Sequence, residues 1–126
     1  MTMPAVTVEF LDDYAKAWNR HDTTAILAAM TSDCIMQLGA GPDVGGSRFE
    51  GADSVRKAVE KVFSRMPDIQ FNGAKHFVSG DRGLTEWVMT ATTPKGAIEA
   101  EGCDVFTFRD GKIAFKNSYT KQRTQV

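Results

Sequence analysis

The sequence predicts an α+β fold in which helices precede an antiparallel sheet, and three observations carry that reading. Apolar residues recur at helical spacing in three segments before residue 66. From residue 69 onward the chain is a series of strand-like runs. Those runs are separated by short reversals, Ser79-Gly80-Asp81-Arg82-Gly83, Pro94-Lys95-Gly96 and Asp110-Gly111, of the kind that joins antiparallel neighbours. A block of helices followed by hairpin-linked strands is an α+β pattern.

The first helix is expected over about residues 7–19, where Phe10, Tyr14, Ala17 and Trp18 fall on one stripe. Asp22 then reads as the N-cap of a shorter helix through Ala25, Ile26, Leu27 and Met30. A strand over 34–38 leads into a glycine-rich stretch, 39–46. With no G-x-G-x-x-G and no helix directly after it, this stretch reads as a loop at a pocket mouth and not as a phosphate cradle. The third helix runs from about 53 to 65, with Val55, Val59, Val62 and Phe63 on one face. Pro67 ends it, because the residue before a proline is pushed out of the α region. Strands follow over 69–78, 84–92, 97–108 and 113–119.

A chain of 126 residues favours one domain with a core of its own, here about 7–120. Apolar residues make up 42% and charged residues 25%, and the net charge is -1, an ordinary soluble balance with no basic stripe to suggest nucleic acid. The N-terminal residues carry no evident secretion signal and no run is long enough to span a bilayer, so a cytoplasmic protein without membrane partners is expected. Cys34 and Cys103 are far apart and read as buried, reduced thiols. His21 and His76 have no Cys or His at ligand spacing, so neither a metal nor another cofactor is expected. His21 ends the first helix, where a cation suits the helix dipole; His76 has no evident partner.

Asp104 is the residue that asks for chemistry. In the run 100–108, alternation places it on one face with Ala100, Gly102, Phe106 and Phe108. A carboxyl among apolar neighbours must find a partner or keep its proton.

Three stretches are familiar: Tyr14-Ala15-Lys16-Ala17-Trp18-Asn19-Arg20-His21-Asp22, Gly51-Ala52-Asp53-Ser54-Val55-Arg56, and Asp104-Val105-Phe106-Thr107-Phe108-Arg109-Asp110-Gly111-Lys112-Ile113. Together they resemble the SnoaL-like branch of the nuclear transport factor 2-like superfamily. The resemblance covers nearly the whole chain. It implies a cone-shaped, curved antiparallel sheet wrapped around three helices (a cystatin-like roll) with one deep pocket. It implies no single reaction, since one scaffold hosts enzymes and binding modules alike.

Ketosteroid isomerase is similar in the same way, and there a tyrosine and a protonated aspartic acid grip the substrate oxygen while a second aspartate moves the proton. The resemblance places the two donors at Tyr14 and Asp104. It places Leu38 where that proton-transfer aspartate stands and Val59 where a bracing tyrosine stands. The polyketide cyclases of the SnoaL-like branch use an acid–base aspartate on the last strand, and Ser118 occupies that position. Asp43 and Glu50, in or near the loop, are the substitutes for a base that position suggests.

The same resemblance turns Lys116 and Ser118 toward the cavity, whereas alternation groups Ile113, Phe115 and Tyr119 as the apolar set of that strand. Both hold if the outer sheet face is covered as well, which implies a homodimer through that face. Lys116 then either approaches Asp104 and keeps it charged or snorkels to the rim. Trp18, Met36, Leu38, Val59, Phe63 and Trp87 are the candidates for the pocket wall, with a one-residue ambiguity between Glu86 and Trp87.

Two functional readings follow. One is a cofactor-independent enzyme of the isomerase, cyclase or hydratase type, acting on a small, largely apolar carbonyl or hydroxyl compound through Tyr14 and Asp104. The other is a non-catalytic protein binding such a ligand in the same pocket. A purely structural module is the third reading, favoured if side chains fill the pocket.

Overall fold

The computed structural model describes residues 5–123. They form α1 (Val8–Asn19), α2 (Thr23–Ala28), β1 (Met30–Gln37), β2 (Arg48–Glu50), α3 (Ala52–Arg65), β3 (Gln70–Ser79), β4 (Arg82–Thr93), β5 (Gly96–Arg109) and β6 (Lys112–Thr120). The strands make one curved sheet in the order β2-β1-β6-β5-β4-β3. Every pairing is antiparallel except β1 with β6. The α+β architecture is as expected. Three details differ: Met30 opens β1 and does not extend α2, the three-residue β2 lies in residues for which the sequence predicts no element, and β1 joins β6 in parallel.

Both N-terminal helices start on side-chain caps. Thr7 Oγ1 accepts the Phe10 N–H at 3.2 Å and Asp22 Oδ1 accepts the Ala25 N–H at 3.0 Å, each satisfying a donor the helix leaves free. The helices bury Leu11, Ile26, Val55 and Val59 against Cys34, Met36, Phe106 and Ile113 of the sheet, all fully shielded from water. Of the two free thiols, Cys34 is buried, and that burial pushes it above its ordinary range; Cys103 is only half-buried, on the opposite sheet face.

Two bulges decide which side chains enter the core. In β6, Phe108 pairs with Ile113 while Thr107 pairs with Phe115, leaving Ala114 as an extra residue. One inserted residue reverses the faces of everything on one side of it. Ile113 therefore points inward at 0% exposure, Phe115 and Tyr119 point outward, and Lys116 and Ser118 point in. The grouping of Ile113 with Phe115 and Tyr119 is corrected accordingly. In β3, Asn72 pairs with Val88 and Lys75 with Glu86, so Gly73 and Ala74 share one opposing residue. Gly73 sits at φ +65°, a left-handed conformation that glycine adopts without a Cβ clash. That bulge brings His76 inward and leaves Phe77 outside, 55% exposed.

His21 is part of the scaffold. It carries a positive φ of 58°, its ring stacks on Phe63 at 4.2 Å, and Nε2 lies 2.8 Å from the Ile69 carbonyl. It joins the end of α1 to α3 and to the backbone just before β3 by packing and hydrogen bonding.

Candidate functional site

The inner face of the sheet places Thr85, Asp104 and Ser118 in one cross-strand row, with Thr85 opposite Asp104 and Asp104 opposite Ser118. Trp87 stands one inward position along β4, and Lys116 one along β6, opposite Phe106 and beside Met36. Trp87 is buried and Glu86 exposed, which settles the register of β4.

Asp104 is 7% exposed and every group around its carboxyl is a donor. Ser118 Oγ donates to Oδ1 at 2.6 Å and Trp87 Nε1 donates to Oδ2 at 3.1 Å. Lys116 Nζ lies 3.4 Å from Oδ1 and 3.2 Å from Ser118 Oγ. Lys116 is itself only 6% exposed and its ammonium sits 4.7 Å from the centre of the Trp18 ring, a cation–π contact in a desolvated setting. Asp104 is therefore the acceptor of an ion pair. The protonated donor that the resemblance assigned to this position is not what these neighbours stabilise, and Lys116 approaches the carboxylate instead of reaching the rim.

Tyr14 reaches the same hollow from α1. Its ring meets Phe106 edge-on at 5.8 Å, and its hydroxyl donates to Met30 Sδ at 3.6 Å, a weak partner. Burial drives the Tyr14 phenol far above its ordinary range, and the Asp104 charge adds to that; the Trp18 indole opposes it. Tyr14 is thus a neutral O–H donor. It makes no hydrogen bond to Asp104. Among the described residues Trp18 Nε1 has no hydrogen-bond partner although it is buried, so an unengaged donor stands beside the weakly engaged Tyr14 hydroxyl.

Tyr14, Trp18, Thr85, Trp87, Asp104 and Lys116 all line one inner cavity of about 20 Å³. That is room for roughly one water molecule, so side chains fill the deep pocket expected of the cone. The other wall candidates divide. Met36 and Val59 are fully buried packing residues, and Phe63 packs edge-on behind Trp18 at 5.4 Å. Leu38 lines a larger, open groove of about 760 Å³ instead. Glu86, Cys103 and Tyr119 make one cross-strand row of that groove, on the sheet face opposite Asp104. The glycine-rich loop forms its rim through Gly39, Val44, Gly45 and Gly46. A Cβ on Gly46, at φ +78°, would lie 2.0 Å from the Leu38 carbonyl oxygen, so this turn needs glycine. Neither Asp43 nor Glu50 lines the inner cavity, and Glu50 is ion-paired with Arg48 at 2.8 Å. The loop supplies no base to Asp104.

The floor of the site also depends on a glycine. A Cβ on Gly102 would lie 2.5 Å from Trp87 Cη2. The bare backbone there lets the indole lie flat enough to reach Asp104. Sequence reasoning left two members of the site unassigned. His76, brought inward by the bulge, bonds Thr85 at 2.9 Å, and both were missed. The signal was Gly73, since a glycine inside a strand pattern marks a bulge.

Comparison with known proteins fits this architecture. The SnoaL-like domain family profile matches residues 11–115. No curated protein matches the sequence. Among solved structures, a provisional polyketide cyclase from Pseudomonas putida KT2440 superposes with a TM-score of 0.78 at 21% identity, covering 92% of each chain. A protein of unknown function with a cystatin-like fold, from Xanthomonas campestris, gives 0.82 at 17%, covering 93% of this chain and 92% of that one. A protein with a ketosteroid isomerase-like fold from Catenulispora acidiphila, in complex with trimethylamine, gives 0.76 at 15%, covering 90% and 86%. At these identities the likeness is one of fold. No helix among the described residues is long and apolar enough to cross a membrane. With its three helices, its curved sheet and a match over most of its length, the chain belongs to the SnoaL-like domain family.

Proposed function

We propose that the protein is a cofactor-independent enzyme of the isomerase, cyclase or hydratase kind, acting on a small, largely apolar carbonyl or hydroxyl compound. The observation that carries this reading is the buried Asp104–Lys116 pair, with side chains 11% and 7% exposed. Well-packed apolar residues would stabilise such a core as well or better, and charged clusters of this kind concentrate at functional sites. The fold neighbours that include a provisional polyketide cyclase are consistent with it.

The roles follow from the donors and acceptors present. Asp104 takes a proton from a carbon next to the substrate carbonyl; the C–H electron pair moves toward the oxygen, forming an enolate. The Tyr14 hydroxyl donates to that oxygen, and the Lys116 ammonium offsets the negative charge. Tyr14 and Asp104 remain the polar pair, with Asp104 as proton acceptor in place of the donor role. A substrate enters only if side chains of the inner cavity, Trp18 and Trp87 foremost, swing aside.

Two other readings stand beside it. A non-catalytic binding protein is favoured by Leu38 and Ser118 at the positions where the resembling enzymes carry an acid–base aspartate. A purely structural module is favoured by the cavity volume of about 20 Å³. One experiment separates them. The protein is incubated with 2-cyclohexenone and a panel of cyclic enones and lactones in D2O, and loss of the α-proton signal is followed by NMR. The enzyme reading expects protein-dependent exchange, slowed about 10²–10³-fold by Tyr14→Phe. Binding without exchange assigns the pocket to a receptor, and neither binding nor exchange assigns it to scaffold.

The outer sheet face carries Phe77, Leu84, Val105, Phe115 and Tyr119. Phe77 and Tyr119 are each more than half exposed, an apolar stripe of the sort that protein contacts cover. We infer a homodimer through this face. Sedimentation is expected to give a dimer that Tyr119→Lys converts to monomer; a wild-type monomer would refute it.

A further inference from the structure

A line of hydrogen-bonded groups crosses the wall of the cone at α1, β3 and β4. Asp12 Oδ1 lies 3.3 Å from His76 Nε2, and His76 Nδ1 lies 2.9 Å from Thr85 Oγ1. The two ends differ in their access to water. The Asp12 side chain is 46% exposed and that of His76 only 5%; Thr85 is buried and lines the inner cavity with Asp104. The partners define the proton positions. The Asp12 carboxyl is held below its ordinary range first by Lys16, 2.9 Å away, and then by His76, so it is an acceptor. With Asp12 as acceptor, a neutral His76 imidazole is assigned its hydrogen on Nε2, which leaves Nδ1 to accept from the Thr85 hydroxyl. Thr85 in turn sits directly across the ladder from Asp104 on the inner face, where opposing Cβ atoms are about 4.5–5.5 Å apart. The cavity they share has space for about one water.

We propose that Asp12, His76 and Thr85 form a proton relay between solvent and Asp104. The relay rests on the proton-acceptor role given to Asp104 above and supplies what that role lacks, a way out for the proton. The Asp104 O–H bond breaks and its proton passes to Thr85 Oγ through one water, for which the shared cavity has room. The Thr85 hydroxyl hydrogen passes to His76 Nδ1. Each electron pair stays on the oxygen it leaves, so Asp104 returns to carboxylate and Thr85 to hydroxyl. The imidazolium is held by Asp12 and loses its Nε2 proton through that half-exposed carboxylate to water. Among the described residues the charged group in contact with His76 is Asp12 from α1, itself paired with Lys16. Asp104 from β5 and Lys116 from β6 lie beyond Thr85, lining the cavity that Thr85 also lines. From β4 only the uncharged Thr85 faces His76, since Glu86 points out.

Two measurements on the full chain test the relay. In the first, the ¹⁵N-labelled protein is titrated with acid while the His76 imidazole and the Trp87 indole N–H, the donor to Asp104, are followed together. The indole is identified by its loss in Trp87→Phe. The relay expects the Trp87 resonance to step at the His76 midpoint in the wild type and in Thr85→Ser, and to lose that step in Thr85→Val. No step in the wild type, or the same step in Thr85→Val, overturns it. In the second, deuterium uptake into 2-cyclohexenone is expected to fall about a hundredfold in Thr85→Val and His76→Gln and to persist in Thr85→Ser. Equal rates in all variants overturn the relay and leave the role of Asp104 standing. If the wild type exchanges nothing, the enzyme reading has failed, and the indole titration alone decides the relay.

Discussion

Lys116→Met is expected to destabilise the protein by about 3–5 kcal/mol, because it strands a buried carboxylate. The methionine replaces the lysine stem almost atom for atom, so little packing is lost. What disappears is the ammonium, and Asp104 keeps only the Ser118 hydroxyl and the Trp87 indole as donors. Two neutral hydrogen bonds do not replace the water a carboxylate loses on burial. The converse holds for the pair as a whole. Asp104→Leu combined with Lys116→Met removes both charges and is expected to restore stability to the wild-type value or above it. Urea unfolding at unchanged m-value reads both effects. A single variant within about 0.5 kcal/mol of wild type would mean that the pair is exposed or water-bridged.

The second large effect concerns chemistry. Asp104→Asn keeps the shape of the side chain and an oxygen for the Trp87 N–H, and removes the ability to take up a proton. Exchange of an enone α-proton is expected to fall by about 10²–10⁴-fold. The same change leaves the Lys116 ammonium without its counter-charge, so a bare loss of activity would confuse a missing base with a damaged fold. Adding Lys116→Met to Asp104→Asn removes the uncompensated charge. Stability should recover in this double variant while exchange stays at background. That divergence separates the chemistry of the Asp104–Lys116 pair from its part in holding the fold.

Much of this was legible in the sequence, for identifiable reasons. Three helical stripes and hairpin turns are local patterns, and they give the α+β order directly. Asp104 is inward because its run alternates without interruption from Gly102 to Phe108. Lys116 was legible only through the resemblance. Strict alternation counts from Ile113, and the extra Ala114 shifts that count. His76 was lost the same way at Gly73. Each bulge is a one-residue event whose consequence, a change of face, reaches along the strand. The three-residue β2 is held by pairing to β1 and not by its own propensity. The volume of the inner cavity was not legible at all. It depends on how Trp18, Phe71, Trp87 and Phe106 pack edge to face around Tyr14, a three-dimensional fit that no periodicity reports.

Everything chemical here depends on Asp104 being a carboxylate that can receive a proton from a small ketone admitted to the cone. The most direct measurement is the rate of deuterium uptake into 2-cyclohexenone by the wild type and by Asp104→Asn/Lys116→Met, compared at equal folded fraction. The account predicts protein-dependent uptake by the wild type and only the solvent rate for the double variant. Uptake by the double variant at the wild-type rate would contradict it.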